Sequence, residues 1–427
     1  MADANQEYFD AQLRHQIGVR RYTAGEVKRT LEILDKADAE IAEKLRIRLG
    51  KLGDGPIDFT TARWKSLAAD VQQARAALWR KLYEENKTNG GKFAEVEVDF
   101  ETRNVQATLP VRVDLAAVDL VALKAALNQQ PFAGGALAAR NLQQWFDGLS
   151  VADQQRIIES MQLAFAQGES VEQALRRIVG TRAGNFEDGV LAMSRRNAEA
   201  VVRTWFNNVS NRARESVFEA NEDIIVALKW NSTLDGRTSA ICRGRDGAFA
   251  PVGKKALPSN LRPKLDPPGA RPPAHPSCRS VMVSVFDPDG IMNKAGERPF
   301  VRDARTRRMR EKDFRQEAIQ EAGGLGPWRK LTPGQRNGII SKNRKNWAAQ
   351  NIGQVPPDTT YNDWMKRQPA AFQSEVLGVT KARLFRKGGL TLDQFIDRRG
   401  NELTLKQLAR QQADAFENAG LDPADYA

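Results

Sequence analysis

Apolar residues recur at helical spacing through the N-terminal quarter of the chain. Val27, Leu31, Leu34, Ile41 and Leu45 form one stripe on an otherwise charged segment, and Leu67, Val71, Ala74, Leu78 and Leu82 form a second. Thr23-x-x-Glu26 has the form of a capping box and predicts a helix start. Asn89-Gly90-Gly91 predicts the end of the second helix, because glycine accepts left-handed dihedrals. Gly53-Asp54-Gly55-Pro56 predicts the turn that joins the two as a hairpin. The period then shortens. Val96, Val98 and Phe100, followed by Val105, Ala107, Leu109, Val111 and Val113, alternate with mostly polar residues around Arg103-Asn104, the pattern of a β-hairpin with one buried face. On that reading Glu95 and Glu97 lie on the solvated face; an acidic catalytic pair is the alternative.

Helical periodicity resumes afterwards. Ser150-x-x-Asp153 and Glu169-Ser170-Val171 predict two helix starts, and Gly180 predicts the end of the second. Residues 188–221, with Met193, Ala200, Val201, Trp205, Val209, Ala213 and Val217, read as one long helix. Residues 225–230 (IVALKW) and 280–286 (SVMVSVF) read as paired buried strands. Between them, ten Pro or Gly residues fall from Pro251 to Pro276, an amount of irregular backbone that is uncommon in a compact unit unless something pins it. The last hundred residues are helical again. Tyr361-Asn362-Asp363-Trp364 leads into a short helix, Gln368-Pro369 resets it, Gly388-Gly389 ends the next, and Thr391-x-x-Gln394 and Thr404-x-x-Gln407 are capping boxes. The expected fold class is α+β and predominantly helical. The expected regions are a helical hairpin (1–92), a β-hairpin with helices (93–185), a central small-sheet domain (186–300), and a basic segment with a helical tail (301–427).

A length of 427 residues suits two or three domains, and 41% hydrophobic with 28% charged residues is ordinary for a globular chain. The longest apolar stretches, such as 115–127, are interrupted by Asp or Lys, so no membrane span is expected. The polar, acidic first residues predict no signal peptide. Two cysteines rule out a disulfide framework and fit synthesis in a reducing cytoplasm. The net charge of +12 points to nucleic acid or an acidic surface as partner. Its distribution sharpens this: residues 301–315 hold seven Arg or Lys against three acids, and Arg329, Lys330, Arg336, Lys342, Arg344 and Lys345 follow. Arg305, Arg307, Arg308 and Arg310 are the candidate contacts.

Several chemistries are missing. The chain has no phosphate-binding G-x-x-x-x-G-K-[ST] loop, no G-x-S-x-G elbow and no H-E-x-x-H, and its only histidines are His15 and His275. His15, in a charged helix, reads as a surface residue. Cys242, His275 and Cys278 share metal-ligand chemistry; zinc takes four ligands, and Asp235 or Asp246 is the candidate fourth. Such a zinc would staple the Pro/Gly-rich insert. Buried or hydrogen-bonded thiols, or a cysteine nucleophile paired with His275, are the alternatives. Asp235-Gly236 and Asp246-Gly247 are turn signals, with Asp235 placed to cap Arg237-Thr238-Ser239, and Trp230 at a strand end reads as a core anchor.

In this order the signals are specific. Trp230-x-Ser232-Thr233-x-Asp235-x-Arg237-Thr238-Ser239-x-x-Cys242, then Asp246-Gly247, a proline-rich gap and His275-Pro276-x-Cys278-Arg279 resemble the phage Mu F-like domain of head morphogenesis (minor capsid) proteins. The close match covers about fifty residues. Arg203-Thr204 and the segment from Asn211 to Arg214 resemble the helix that precedes the motif in that family. Tyr361-x-x-Trp364-x-x-x-Gln368-Pro369, Leu377-Gly378 and Arg383-Leu384-Phe385 resemble its tail. The resemblance implies a virion protein made in the host cytoplasm, in several copies at the portal vertex, with portal and capsid proteins and phage DNA as partners. It would act in head assembly, DNA packaging or delivery, with no enzymatic activity. The toxin order found in some relatives, Arg, then Ser-Thr, then Glu-x-Glu, is not met, because Glu95-x-Glu97 precedes Ser232-Thr233. A DNA-processing or cysteine-dependent hydrolase using Cys242, His275 and Cys278 is the competing expectation.

Overall fold

The computed structural model describes residues 4–51, 62–109, 114–132, 139–181, 183–184, 186–286, 298–356 and 358–426. They are 66% helical, with two small three-stranded sheets, a predominantly helical α+β fold. Two 47-residue helices, α1 (Ala4–Gly50) and α2 (Ala62–Thr108), run against each other. The turn expected at residues 53–56 lies outside the described residues. Two local signals are overridden. Thr23 sits inside α1 and donates its hydroxyl to Val19 O at 2.8 Å, the back-bonding available to a mid-helix Thr. Gly90 does not end α2; a Cβ there would lie 2.6 Å from the Trp205 indole nitrogen, so this glycine admits the ring that caps the Asn86 carbonyl (3.0 Å).

The β-hairpin expected after residue 93 is helix instead, as far as residue 108. Buried positions there are Phe93, Ala94, Glu97, Glu101, Asn104, Val105 and Thr108, a period of three to four, while Val96 is 57% exposed. The helical face is hard to see in the sequence because half of it is polar. Glu97, expected in solvent, is fully buried: His15 Nε2 lies 2.6 Å from its Oε1, and Ser210 Oγ donates to its Oε2 at 2.5 Å. Arg214 completes the group at 3.4 Å. His15 is therefore a half-buried partner stacked on Phe100 (3.5 Å between centroids), not a surface residue. Glu95 remains exposed and pairs with Lys124.

Four helices pack on this pair. After α3 (Leu120–Gln129), α4 (Leu142–Ala166) starts at an Asn141–Gln144 capping box. The start expected at Ser150-x-x-Asp153 falls inside α4, where Asp153 is buried and accepts hydrogen bonds from Arg75 Nε (2.6 Å) and Trp79 Nε1 (2.7 Å). The start of α5 (Val171–Val179) at Ser170 and its end at Gly180 follow the sequence expectation. The expected long helix is α6 (Val190–Ala220), buried on nearly every side because α1, α2 and α4 pack against it.

The strands follow. β1 (Ala227–Asn231) lies between β3 (Phe249–Ala250) and β4 (Val281–Val285), antiparallel to both, with Trp230 opposite Met282. A second sheet has the order β2 (Leu234–Asp235), β5 (Arg298–Val301), β6 (Ile352–Val355), with β2 parallel to β5 and β5 antiparallel to β6. α7 (Ala240–Arg245) bridges β2 and β3. Between β5 and β6 the chain leaves as an arm of three helices, α8 (Arg307–Glu321), α9 (Leu325–Lys330) and α10 (Pro333–Asn351). The arm has little core. Phe314, Ala318 and Trp328 are buried, and α10 buries no residue. The tail helices α11 (Tyr361–Lys366), α12 (Ala370–Leu377), α13 (Val379–Lys387), α14 (Leu405–Gln411) and α15 (Ala413–Asn418) form a separate apolar core around Trp364, Phe385 and Phe416. No helix among the described residues is long and apolar enough to cross a membrane.

Candidate metal centre

The end of β1 organises the site. Trp230 is fully buried and donates from Nε1 to Ser232 Oγ at 3.0 Å; Ser232 Oγ in turn donates to the Cys242 carbonyl at 2.7 Å. This ties α7, and the Cys242 side chain on it, to the strand. The Pro/Gly-rich insert returns His275 and Cys278 just ahead of β4. Their ligand atoms and the Cys242 sulfur all lie within 4.8 Å of one another. Cys242 Sγ is 3.7 Å from Cys278 Sγ and 3.3 Å from His275 Nε2. Both cysteines are free, since a disulfide needs about 2.05 Å. Metal–sulfur bonds of about 2.3 Å at a tetrahedral angle place two thiolates about 3.8 Å apart. The sulfurs already stand at that separation, so the group has the donors and spacing to hold a metal ion.

The imidazole is oriented for the same purpose. Nδ1 lies 2.8 Å from the Pro276 carbonyl, which can only accept, so Nδ1 carries the proton and Nε2 presents its lone pair. Ser239 Oγ lies 2.7 Å from Nε2. With no ion bound, burial opposes charge on Cys278, yet hydrogen bonds from Cys242 and from His275 carrying a second proton on Nε2 outweigh it and hold this thiol well below the ordinary range; a metal would take the place of that Nε2 proton. Cys242, sharing its proton with Cys278 and fully buried, is pushed well above that range. One thiolate is thus favoured before any ion arrives.

Neither aspartate expected as fourth ligand is available. Asp235 takes a two-pronged contact from Arg279 (Nη1–Oδ2 2.5 Å, Nη2–Oδ1 2.8 Å), the Arg237 backbone N–H at 3.0 Å and the Thr238 hydroxyl at 3.1 Å. Although burial works against its charge, Arg279 holds its carboxyl below the usual range. Asp246 is filled by Arg298 (2.7 and 3.0 Å) and by the backbone N–H groups of Ser232 and Tyr361, both at 2.6 Å. Both carboxylates clamp the frame around the cysteines instead of entering the cluster. Thr233 contributes its carbonyl, which accepts from Thr238.

Compared with protein-family models, curated proteins and solved structures, the chain matches none. The site is therefore read on its own geometry. The sequence missed two members of the frame. Arg298 is buried and also donates to the carbonyls of Ser232 and Thr359, and the Tyr361 hydroxyl donates to Asp235 O at 2.7 Å. A lone arginine sixty residues from its partners gives no local signal; Tyr361 stood out only as part of the tail motif.

The basic segment is only partly a free surface. Arg305 pairs with Asp303 and Asp313 (2.8 Å each), and Arg310 lies 4.5 Å over the Trp347 ring while donating to Arg305 O. Arg308 is exposed and pairs with Glu187, and the Arg307 side chain lies outside what is described. Lys312, Arg315, Arg329, Lys330 and Lys345 are exposed on the same arm.

Proposed function

We propose that this chain is a minor capsid, head morphogenesis protein of a tailed phage, associated with the portal vertex and acting without catalysis in head assembly, DNA packaging or DNA delivery. The supporting observation is how the motif residues are used. Trp230, Ser232, Asp235, Thr238, Asp246 and Arg279 bond to one another or to neighbouring backbone, and their roles are to hold the shape of the sheet–insert junction. A structural zinc held by Cys242, His275 and Cys278 belongs to the same reading; it would staple the insert to α7, with Ser239 or water completing the coordination. A cysteine-dependent hydrolase is the second reading, favoured by the Cys278–His275 pair. Against it, the two cysteines are 1% and 3% exposed, and the nearby cavity of about 500 Å³ is lined by other residues.

Peptide mass spectrometry and a density map of phage particles carrying the chain test the proposal. The expected result is a few copies at the portal vertex; an absence from finished particles would overturn it. Elemental analysis of the purified protein is expected to give one zinc per chain. Cys278→Ala should lose the metal together with much of the thermal stability. A variant that stays folded but loses a measurable turnover would favour the hydrolase.

A further inference from the structure

A cavity of about 500 Å³, the size of a small-molecule site, lies where the N-terminal part of α1 meets the two sheets; Ser232 and Arg279 of the frame line it, while Cys242, His275 and Cys278 do not. Its lining carries Arg14, Arg20, Arg279 and Arg298 against a single carboxylate, Asp10. Two of these arginines are used up, Arg298 by Asp246 and Arg279 by Asp235. Arg14 and Arg20 have no carboxylate at ion-pair distance among the described residues; Arg20 Nη2 reaches only the Thr233 hydroxyl, at 2.9 Å. Asp235 is already shared by Arg279 and Arg237, so Arg20 adds a third guanidinium around one carboxylate. Desolvation first, and then the Arg279 charge, push its pKa down to about 10. Leu13, Ile17 and Val281 give the wall an apolar stretch beside the polar Gln16, Asn231, Ser232, Thr233 and Gln354.

A half-enclosed cavity with excess guanidinium and an apolar wall is short of one partner, an anion carried on a body that can lie against aliphatic side chains. Guanidinium forks match phosphate oxygens two at a time, and the concavity gathers the field of Arg14 and Arg20, whose side chains remain open to solvent and so to an incoming ligand. We propose that this cavity binds a phosphate-bearing ligand, with the phosphate held by Arg14 and Arg20 and the remainder against Leu13 and Ile17. The phosphate can belong to inorganic phosphate, a nucleotide or a phosphorylated nucleic-acid end. The site is independent of the phage-head reading and of the zinc.

Isothermal titration of the full chain at low ionic strength, with inorganic phosphate, a nucleoside monophosphate and a 5′-phosphorylated oligonucleotide in turn, tests it. At least one should bind saturably, one per chain, and R14Q/R20Q should weaken that binding at least about tenfold while leaving the circular dichroism spectrum unchanged. A control that removes the same charge from the arm, K312Q/K345Q, should leave phosphate and nucleotide binding within about twofold. Nucleotide binding tighter than phosphate assigns the apolar wall to the base and sugar, and equal affinities assign the site to free phosphate. The proposal is overturned if none binds saturably at millimolar concentration, or if the two double variants lose binding equally.

Discussion

Asp246 accepts hydrogen bonds from Arg298 and from two backbone N–H groups at the meeting point of β1, β5 and α11, and all of these residues are buried. Removing the carboxylate strands a buried guanidinium, so Asp246→Ala should cost about 3–5 kcal/mol in urea unfolding; a loss below about 1 kcal/mol would mean that water reaches Arg298. Glu101 poses the opposite problem. Burial, only partly offset by Arg214 and by the Tyr8 and Gln12 hydrogen bonds, pushes its pKa up to about 7, against 4.5 for an ordinary glutamate. The folded chain therefore holds a proton that the unfolded chain releases. The stability this confers is fully present below about pH 4.5 and lost as the pH rises through 7. Glu97 runs the other way, its carboxyl held below the usual range against burial by His15 and Arg214. Glu101→Gln should gain stability relative to the wild type as the pH rises across the window from 4.5 to 7; a difference that stays flat with pH would place the titration elsewhere. At this scale, the caps at Ser170, Thr391 and Thr404 and the Asp235 turn were legible because their partners lie within a few residues. The buried state of Glu97 was not, since His15 and Arg214 come from 82 and 117 positions away.

Among the elements, α2 departs furthest from its sequence pattern. Two glycines in a row and a stretch of alternating valines argue for a stop followed by strands, yet the helix runs through both because α6 presents Trp205 to Gly90 and Ser210 and Arg214 to Glu97. Packing outweighs local propensity when a whole face is engaged. Gly90→Ala measures the balance. Alanine favours the helix by about 1 kcal/mol, but its methyl would meet the indole at 2.6 Å and displace it from the Asn86 carbonyl. A net destabilisation of about 1–3 kcal/mol in thermal or urea unfolding is expected; a more stable variant would show that the ring moves freely. The β1–β4 pair and α6 were legible from periodicity alone, since each is apolar throughout or carries a clear helical stripe. The second sheet was not, since β2 has two residues and β5 and β6 are separated by the arm.

Across the whole molecule, charge and architecture coincide. Residues 302–351 hold thirteen Arg or Lys and five Asp or Glu, so +8 of the net +12 sits on the arm between β5 and β6. The arginines that stood out in the sequence are partly consumed inside it, so the groups left for a partner are Arg329 and Lys330 together with three on α8 and α10, Lys312, Arg315 and Lys345. Replacing these three by Gln should weaken non-specific DNA binding and lower the salt slope by about one for each phosphate no longer neutralised. Arg305→Gln should instead loosen the arm, read as faster proteolysis between β5 and β6. Unchanged DNA affinity and salt slope in the triple variant would leave an acidic protein as the partner.

The arm also has a narrow root. It leaves after Val301 and returns at Ile352, and Arg302 N donates to Asn351 O at 2.8 Å across the neck. A pull on the arm thus enters the body through β5, whose first residue, Arg298, is locked to Asp246, Ser232 and Thr359, and through Arg302, which holds Gln368 in the tail. The same frame that surrounds the cysteines is where a tug from a partner would be felt, so tension at the arm would reach the Cys242–His275–Cys278 cluster before the long helices behind it.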